Sequence, residues 1–262
     1  MQSTTTTEAL IGFRILLTRP AHQAMSLAQK LTAMSAVVDN FPTITIEPPG
    51  DLSQLTKLPM WFGMADKVIF TSANAVHEAM QRLTALLPDL AHWPEVFCIG
   101  PATKKALEAY GCSPKQPFED FSSEGLLTMS AFTDPMDQRI LILTGEQPRS
   151  LLADVLTKRG ARAQVIYCYR REKTRDPQCQ LAAMVTTLQP NIVVCSSRDA
   201  LVNLFELVSA QSIDALFCTT LLLSHVRMTE KARDFGHKGP ILVAENATEA
   251  AMIKALCVYH QG

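Results

Sequence analysis

An internal repeat constrains this chain more than any other feature. Val68-Ile69-Phe70-Thr71-Ser72-Ala73-Asn74-Ala75-Val76 resembles Val193-Val194-Cys195-Ser196-Ser197-Arg198-Asp199-Ala200-Leu201 at an offset of 125, the difference between 193 and 68. The same offset sets Arg14-Ile15-Leu16-Leu17 on Arg139-Ile140-Leu141-Ile142, Leu27-Ala28 on Leu152-Ala153, Gly111 on Gly236 and Glu124 on Glu249. A constant register across separate blocks points to two copies of one folding unit. Independent α/β patterning in the two halves is the alternative.

Each copy alternates two kinds of segment. Ile15 to Leu17, Val68 to Phe70, Phe97 to Ile99, Ile140 to Leu143, Ile192 to Cys195 and Leu221 to Leu223 are short continuous apolar runs, the pattern of parallel strands covered on both faces. Helical spacings follow them: Ala24, Leu27, Ala28, Leu31; Val76, Ala79, Met80, Leu83; Leu151, Leu152, Val155, Leu156; Leu201, Leu204, Phe205, Val208. Repeated strand then helix implies right-handed crossovers, so the expected fold class is α/β, with two doubly wound parallel-sheet domains. Two extended segments, Phe41 to Pro48 and Val165 to Glu172, occupy equivalent places in the copies. Related by a pseudo-twofold axis, they form a two-stranded antiparallel connector, and each opening strand and helix then completes the other copy's domain. A simple cut near residue 135 is the competing division.

Bulk properties exclude several classes. With 262 residues, 47% hydrophobic and 19% charged, the chain has enough apolar material for one or two cores without disulfides or metals. No run has the length of a membrane span. Met1 to Thr7 is polar and Thr-rich, with no basic stretch leading into an apolar one, and reads as a frayed tail. A cytoplasmic address is expected. The seven cysteines are odd in number, lack a C-x-x-C pair and mostly sit in apolar runs, so they read as buried thiols of a reducing compartment. The six histidines show no ligand spacing, so no metal is expected. A net charge of −1 gives no electrostatic case for nucleic acid.

Open α/β sheets place ligands beyond the carboxyl ends of their strands. Here those ends carry Thr71-Ser72-Ala73-Asn74, Gly100-Pro101-Ala102-Thr103, Ser122-Ser123-Glu124-Gly125 and Ser196-Ser197-Arg198-Asp199. Such helix openings offer amides and hydroxyls to carboxylates or phosphates. They are also what ordinary helix caps look like, and residue type alone does not separate the two roles. There is no glycine series for a dinucleotide, no Gly-Lys-Ser/Thr for a nucleoside triphosphate and no G-x-S-x-G elbow for a hydrolase. Glu124 and Glu249 read as first-turn residues favoured by the helix dipole.

Taken together, Ile15 to Pro20, Phe41-Pro42 with Ile44, Val68 to Val76, Ile99 to Thr103, Ser123 to Leu126 and Val165 to Arg170 resemble the uroporphyrinogen-III synthases in order and spacing, from about residue 13 to 257. The resemblance implies residues 1–43 and 172–262 as one domain and 47–168 as the other, with connectors near 43–47 and 167–171. It implies a cofactor-free cyclising lyase of tetrapyrrole (porphyrin and haem) biosynthesis, acting on hydroxymethylbilane. That substrate carries eight carboxylates and is held largely by backbone amides. Thr18, Arg19, Thr71, Ser72, Asn74, Gly100, Thr103, Ser123, Glu124, Ser196, Ser197, Ser224 and Arg227 become candidate substrate-binding residues, and Tyr169 the candidate catalytic one. The second copy has Leu223-Ser224-His225-Val226-Arg227 where some members keep a Gly-Pro-Thr-Thr turn. In a regular strand Tyr167 and Tyr169 share one orientation, and only the resemblance selects Tyr169. A monomer is expected. A non-enzymatic two-domain binding protein for a polyanionic small molecule is the alternative.

Overall fold

The computed structural model describes residues 9–86, 93–146, 151–176, 178–210 and 213–261, so the Met1 to Thr7 stretch lies outside the described residues. Ten strands occur among them: β1 (Arg14–Leu17), β2 (Val37–Asn40), β3 (Ile44–Glu47), β4 (Lys67–Phe70), β5 (Glu95–Cys98), β6 (Arg139–Gly145), β7 (Arg162–Lys173), β8 (Ile192–Cys195), β9 (Thr220–Leu223) and β10 (Ile241–Val243). They form two five-stranded sheets, in the orders β10-β9-β8-β1-β2 and β3-β7-β6-β4-β5. The ladders β1/β2, β1/β8, β8/β9, β9/β10, β4/β5, β4/β6 and β6/β7 are all parallel. The chain divides into two compact units: unit 1 is Met1–Thr45 with Glu172–Gly262, and unit 2 is Ile46–Arg171.

The repeat governs this topology. β1 and β6, β2 and β7, β4 and β8, and β5 and β9 each start 125 residues apart, and the order β2-β1-β8-β9 in unit 1 matches β7-β6-β4-β5 in unit 2. A parallel bridge between Phe97 and Lys115 stands where β10 lies in unit 1. Each sheet therefore draws strands from both copies. The segment leaving unit 1 and the one returning to it run antiparallel, since Thr174 N–H donates to Thr43 O (3.2 Å) and Thr45 Oγ1 to Glu172 O (3.4 Å).

Every residue of β4, β8 and β9 is buried, as central parallel strands with helices on both faces require. The period-two pattern splits each sheet's side chains between two cores. In unit 1, Leu16, Val193, Leu221 and Leu223 face one side, and Ile15, Leu17, Ile192, Val194 and Leu222 the other. Helix Ala73–Leu86 turns Val76, Ala79, Met80 and Leu83 inward, all fully buried, as their spacing predicts. Among the described residues no helix is long and apolar enough to cross a membrane. Cys98, Cys168 and Cys195 are buried thiols, but Cys179 and Cys218 are exposed, because each lies in a connection at the surface rather than in a strand.

Left-handed backbone recurs at the same offset: Gly12 (φ 83°) with Asp137 (60°), Ser35 (69°) with Gly160 (86°), and Gly111 (78°) with Gly236 (87°). The Ser35 and Gly160 turns end their helices identically. Ser35 N–H reaches Thr32 O and Ala36 N–H reaches Leu31 O, while Gly160 N–H reaches Thr157 O and Ala161 N–H reaches Leu156 O. This paired bonding closes the helix and aims the chain into the next strand.

Candidate functional site

In unit 2 the carboxyl ends of β4, β6 and β7 bring several candidate residues together. Thr71 N–H donates to Leu143 O (3.1 Å), and its hydroxyl meets Thr144 Oγ1 at 2.8 Å. Ser72 opens helix Ala73–Leu86 by accepting Ala75 N–H (3.2 Å), and its oxygen also lies 3.0 Å from Tyr169 Oη. Asn74 and Thr103 are buried. Gly100 caps helix Pro101–Glu108 without a side chain, in extended backbone (φ −148°, ψ 172°). At helix Ser123–Leu127 it is Ser122 that caps, accepting Gly125 N–H (3.0 Å), while Ser123 is half-buried and Glu124 exposed.

Tyr169 does not point where regular alternation puts it. Thr144 pairs with Tyr167 but Gly145 pairs with Tyr169, so β7 carries one extra residue opposite β6. This bulge breaks the period of two. The Tyr169 ring joins Ile166 and Cys168 in one apolar core, which does not include Tyr167. The two tyrosines therefore do not share an orientation. Tyr169 is 4% exposed, and its ring lies against Gly145.

In unit 1 the candidates split. Thr18 is fully buried and its hydroxyl donates to Val194 O (2.9 Å). Arg19 is buried with Nη2 donating to Ala247 O (2.7 Å); burial pulls its pKa down, against the raising effect of Glu249. Both residues thus tie strand ends to their surroundings. Ser224, buried, donates to Ser196 O (2.9 Å), and Ser197 accepts Ala200 N–H (3.2 Å) as a helix cap. Ser197, Ser224 and Arg227 line one cavity of about 650 Å³, together with Arg198, His225 and Lys231.

Three of these neighbours, Thr144, Arg198 and His225, are not among the candidate substrate-binding residues, although Arg198 and His225 stand in strand-end segments singled out from the sequence. The repeat held the signal for Arg198, because at an offset of 125 Arg198 replaces Ala73 and Arg227 replaces Ala102. Two neutral helix starts in unit 2 are thus cationic in unit 1, and both cations line the cavity.

These strand-end sets can do two kinds of chemistry. Guanidinium groups and first-turn amides hold carboxylates. A shielded phenol donates a hydrogen bond to a leaving oxygen.

Comparison with known proteins follows the same lines. A family model described as uroporphyrinogen-III synthase HemD matches residues 25–254. The chain is 30% identical over 245 residues to the uroporphyrinogen-III synthase of Escherichia coli (strain K12), covering 92% of this chain and 99% of that protein. It is 29% identical over 235 residues to that of Synechococcus elongatus, covering 87% and 82%. Among solved structures, a mutant uroporphyrinogen III synthase from the extremely thermophilic bacterium Thermus thermophilus superposes with a TM-score of 0.52 at 20% identity, covering 95% of this chain and 99% of that one. Uroporphyrinogen-III synthetase from Helicobacter pylori 26695 also gives 0.52, at 14% identity, with 92% and 97% covered. At such identities the solved structures speak for the fold alone.

Proposed function

The chain belongs to the uroporphyrinogen-III synthase family, and from that premise we propose that Tyr169 assists loss of the substrate hydroxyl while strand-end groups hold the carboxylates. The family's enzymes are cyclising lyases that convert hydroxymethylbilane to uroporphyrinogen III in tetrapyrrole biosynthesis. That membership disfavours the alternative of a non-catalytic binding protein. The observation that carries the role of Tyr169 is its near-buried phenol, aimed at Ser72 among the polar strand ends of unit 2.

The chemistry asks for little beyond restraint. The terminal pyrrole expels its hydroxyl, which leaves as water with a proton, and an azafulvene forms. Ring D then attacks through its substituted carbon, giving a spiro intermediate that rearranges to the type III ring. Unguided closure occurs at the free carbon and gives type I. Holding ring D in the less accessible geometry is the protein's main contribution, an orientation effect worth several kcal/mol. A phenol donating to the departing oxygen adds acid assistance of roughly 10²-fold or more.

Binding divides by charge. Arg198 and Arg227 meet carboxylates by paired N–H donation, and the Ser197, Ser72 and Gly100 helix starts add amides. Thr18 and Arg19 support these ends from within the fold, Thr18 donating to Val194 O and Arg19 Nη2 to Ala247 O, while the buried Arg19 Nε finds no hydrogen-bond partner among the described residues. The chain acts as a cytoplasmic monomer without a cofactor.

The test is incubation with freshly prepared hydroxymethylbilane and separation of the type I and type III products, for the native chain and for Tyr169→Phe and Tyr167→Phe. The native chain yields type III. Tyr169→Phe lowers the rate about ten- to a thousandfold, the range of acid assistance, and still yields type III. Tyr167→Phe stays near native. A Tyr169→Phe protein with full rate removes the proposed role.

A further inference from the structure

We infer that Ser72 and Gly145 are positioning residues that leave the Tyr169 phenol proton free for an acceptor arriving with the substrate. This rests on Tyr169 acting as the proton donor, and it moves Ser72 from substrate contact to support of the phenol.

Space comes first. A Cβ on Gly145 would stand 2.7 Å from Tyr169 Cζ and 2.9 Å from Cε2, closer than any side-chain carbon tolerates. With 4% exposure, the ring has no solvent into which to retreat. The extra residue in β7 rotates the ring to the Ser72 side, and the missing side chain at Gly145 gives it a flat seat there.

Proton accounting comes second. A serine hydroxyl has one proton and two acceptor sites. Ser72 Oγ accepts Ala75 N–H (3.2 Å), and among the described residues the only other polar partner of that oxygen is Tyr169 Oη (3.0 Å). Either direction leaves one hydroxyl proton over, and if Tyr169 donated to Ser72 it would be the serine's, with Ser72 accepting twice. If Ser72 donates to Tyr169, the proton left over is the phenol's. The second arrangement forms a chain running from helix amide to serine to phenol, in which each donor polarises the next. A shielded O–H without an acceptor is unfavourable, so the site favours an acceptor supplied from outside.

The other copy serves as an internal control. Ser197 makes the same cap, accepting Ala200 N–H at 3.2 Å. At the matching offset Tyr169 is replaced by Ile44 and Gly145 by Pro20. Capping the helix thus requires no tyrosine, and the phenol contact in unit 2 is an addition to the cap.

The test uses the full chain with freshly prepared hydroxymethylbilane and three variants. Ser72→Gly removes the hydroxyl yet keeps an acceptable cap residue. It should lower kcat about tenfold, the worth of one hydrogen bond, with KM changed less than about twofold. Ser72→Thr restores the hydroxyl and brings kcat back to within about threefold of native. Gly145→Ala crowds the ring and lowers kcat as Ser72→Gly does. The tyrosine Raman doublet distinguishes a phenol that accepts from one that donates. The native-minus-Tyr169→Phe difference spectrum should show an accepting phenol, lost in Ser72→Gly.

A native kcat in Ser72→Gly, beside a reduced one in Tyr169→Phe, overturns this inference and leaves the role of Tyr169 standing. A raised KM at unchanged kcat also overturns it, returning Ser72 to substrate contact. Full activity in Tyr169→Phe removes the premise itself. Should Gly145→Ala fail to fold, the two Ser72 variants and the spectrum decide alone.

Discussion

Units 1 and 2 share a scaffold of four parallel strands at a constant offset and differ at the strand ends. Strand starts, strand order and left-handed turns recur at an offset of 125. At that offset Ala73 and Ala102 of unit 2 meet Arg198 and Arg227 of unit 1, while Tyr169 of unit 2 meets Ile44. A duplicated sheet is stabilised by buried apolar strands, and those are constrained alike in both copies. Arg198 and Arg227, just past the strands, are exposed and free to diverge, whereas Tyr169 is packed into an apolar core. At these positions one unit carries two cations and the other a phenol.

The largest expected effect of breaking this contrast is on binding. Replacing Arg198 and Arg227 together by Ala, the residue of the other copy, should raise KM about tenfold with kcat little changed, as loss of two part-screened carboxylate contacts implies. Rising ionic strength should weaken the native chain more than the double variant. Equal KM and equal salt response would mean that both units hold carboxylates through backbone amides alone.

A smaller effect tests the shared scaffold. Ser35 and Gly160 hold the same left-handed helix end at φ 69° and 86°. Ser35→Gly should raise stability by about 1 kcal/mol, because a side chain in that region is strained. Gly160→Ser should lower it by about 1–2 kcal/mol, and more where Met136 does not move, since a Cβ there would lie 2.5 Å from Met136 Sδ. Denaturant midpoints check both. Opposite signs are required for the two turns to be equivalent.

The smallest effect concerns acid. His237 of unit 1 is buried, and its counterpart at the same offset in unit 2 is Cys112. Burial, with Arg233 adding, holds the His237 pKa below its ordinary value of 6.5, while burial pushes Cys112 up to about 11. Below pH about 6.5 the unfolded chain takes up a proton that folded His237 resists. Stability from this position is therefore complete above that pH and is lost as pH falls toward the folded pKa. Thermal unfolding between about pH 7.5 and about pH 5 should show a decline that His237→Gln reduces. An unchanged slope in that variant would assign the decline elsewhere.

Much of the fold was legible because its signals are local. Val68 to Phe70 and Ile192 to Cys195 are continuous apolar runs, and a strand buried on both faces needs nothing else to declare itself. The helical faces at Val76, Ala79, Met80 and Leu83 were equally plain. The candidate site was legible only in part. Ser72 and Ser197 stand where helix openings were expected, but the same residue types serve caps and ligands alike. Thr18 and Arg19 carried the right chemistry at a strand end, yet their partners, Val194 and Ala247, lie far away in sequence. A local pattern carries no information about whether a hydroxyl or guanidinium is already engaged.

The sequence by itself determined the duplication, the alternation of strand and helix, and the polar character of the strand ends, since each follows from residue spacing within a few turns of chain. Tertiary structure alone decided the orientation of Tyr169. Alternation along β7 puts it with Tyr167, but the ladder to β6 accommodates one extra residue and turns the ring toward Cys168, Gly145 and Ser72. A bulge is a property of two strands at once. Which side-chain face survives past it depends on hydrogen bonds to a neighbouring strand distant in sequence, and no pattern in one strand records them.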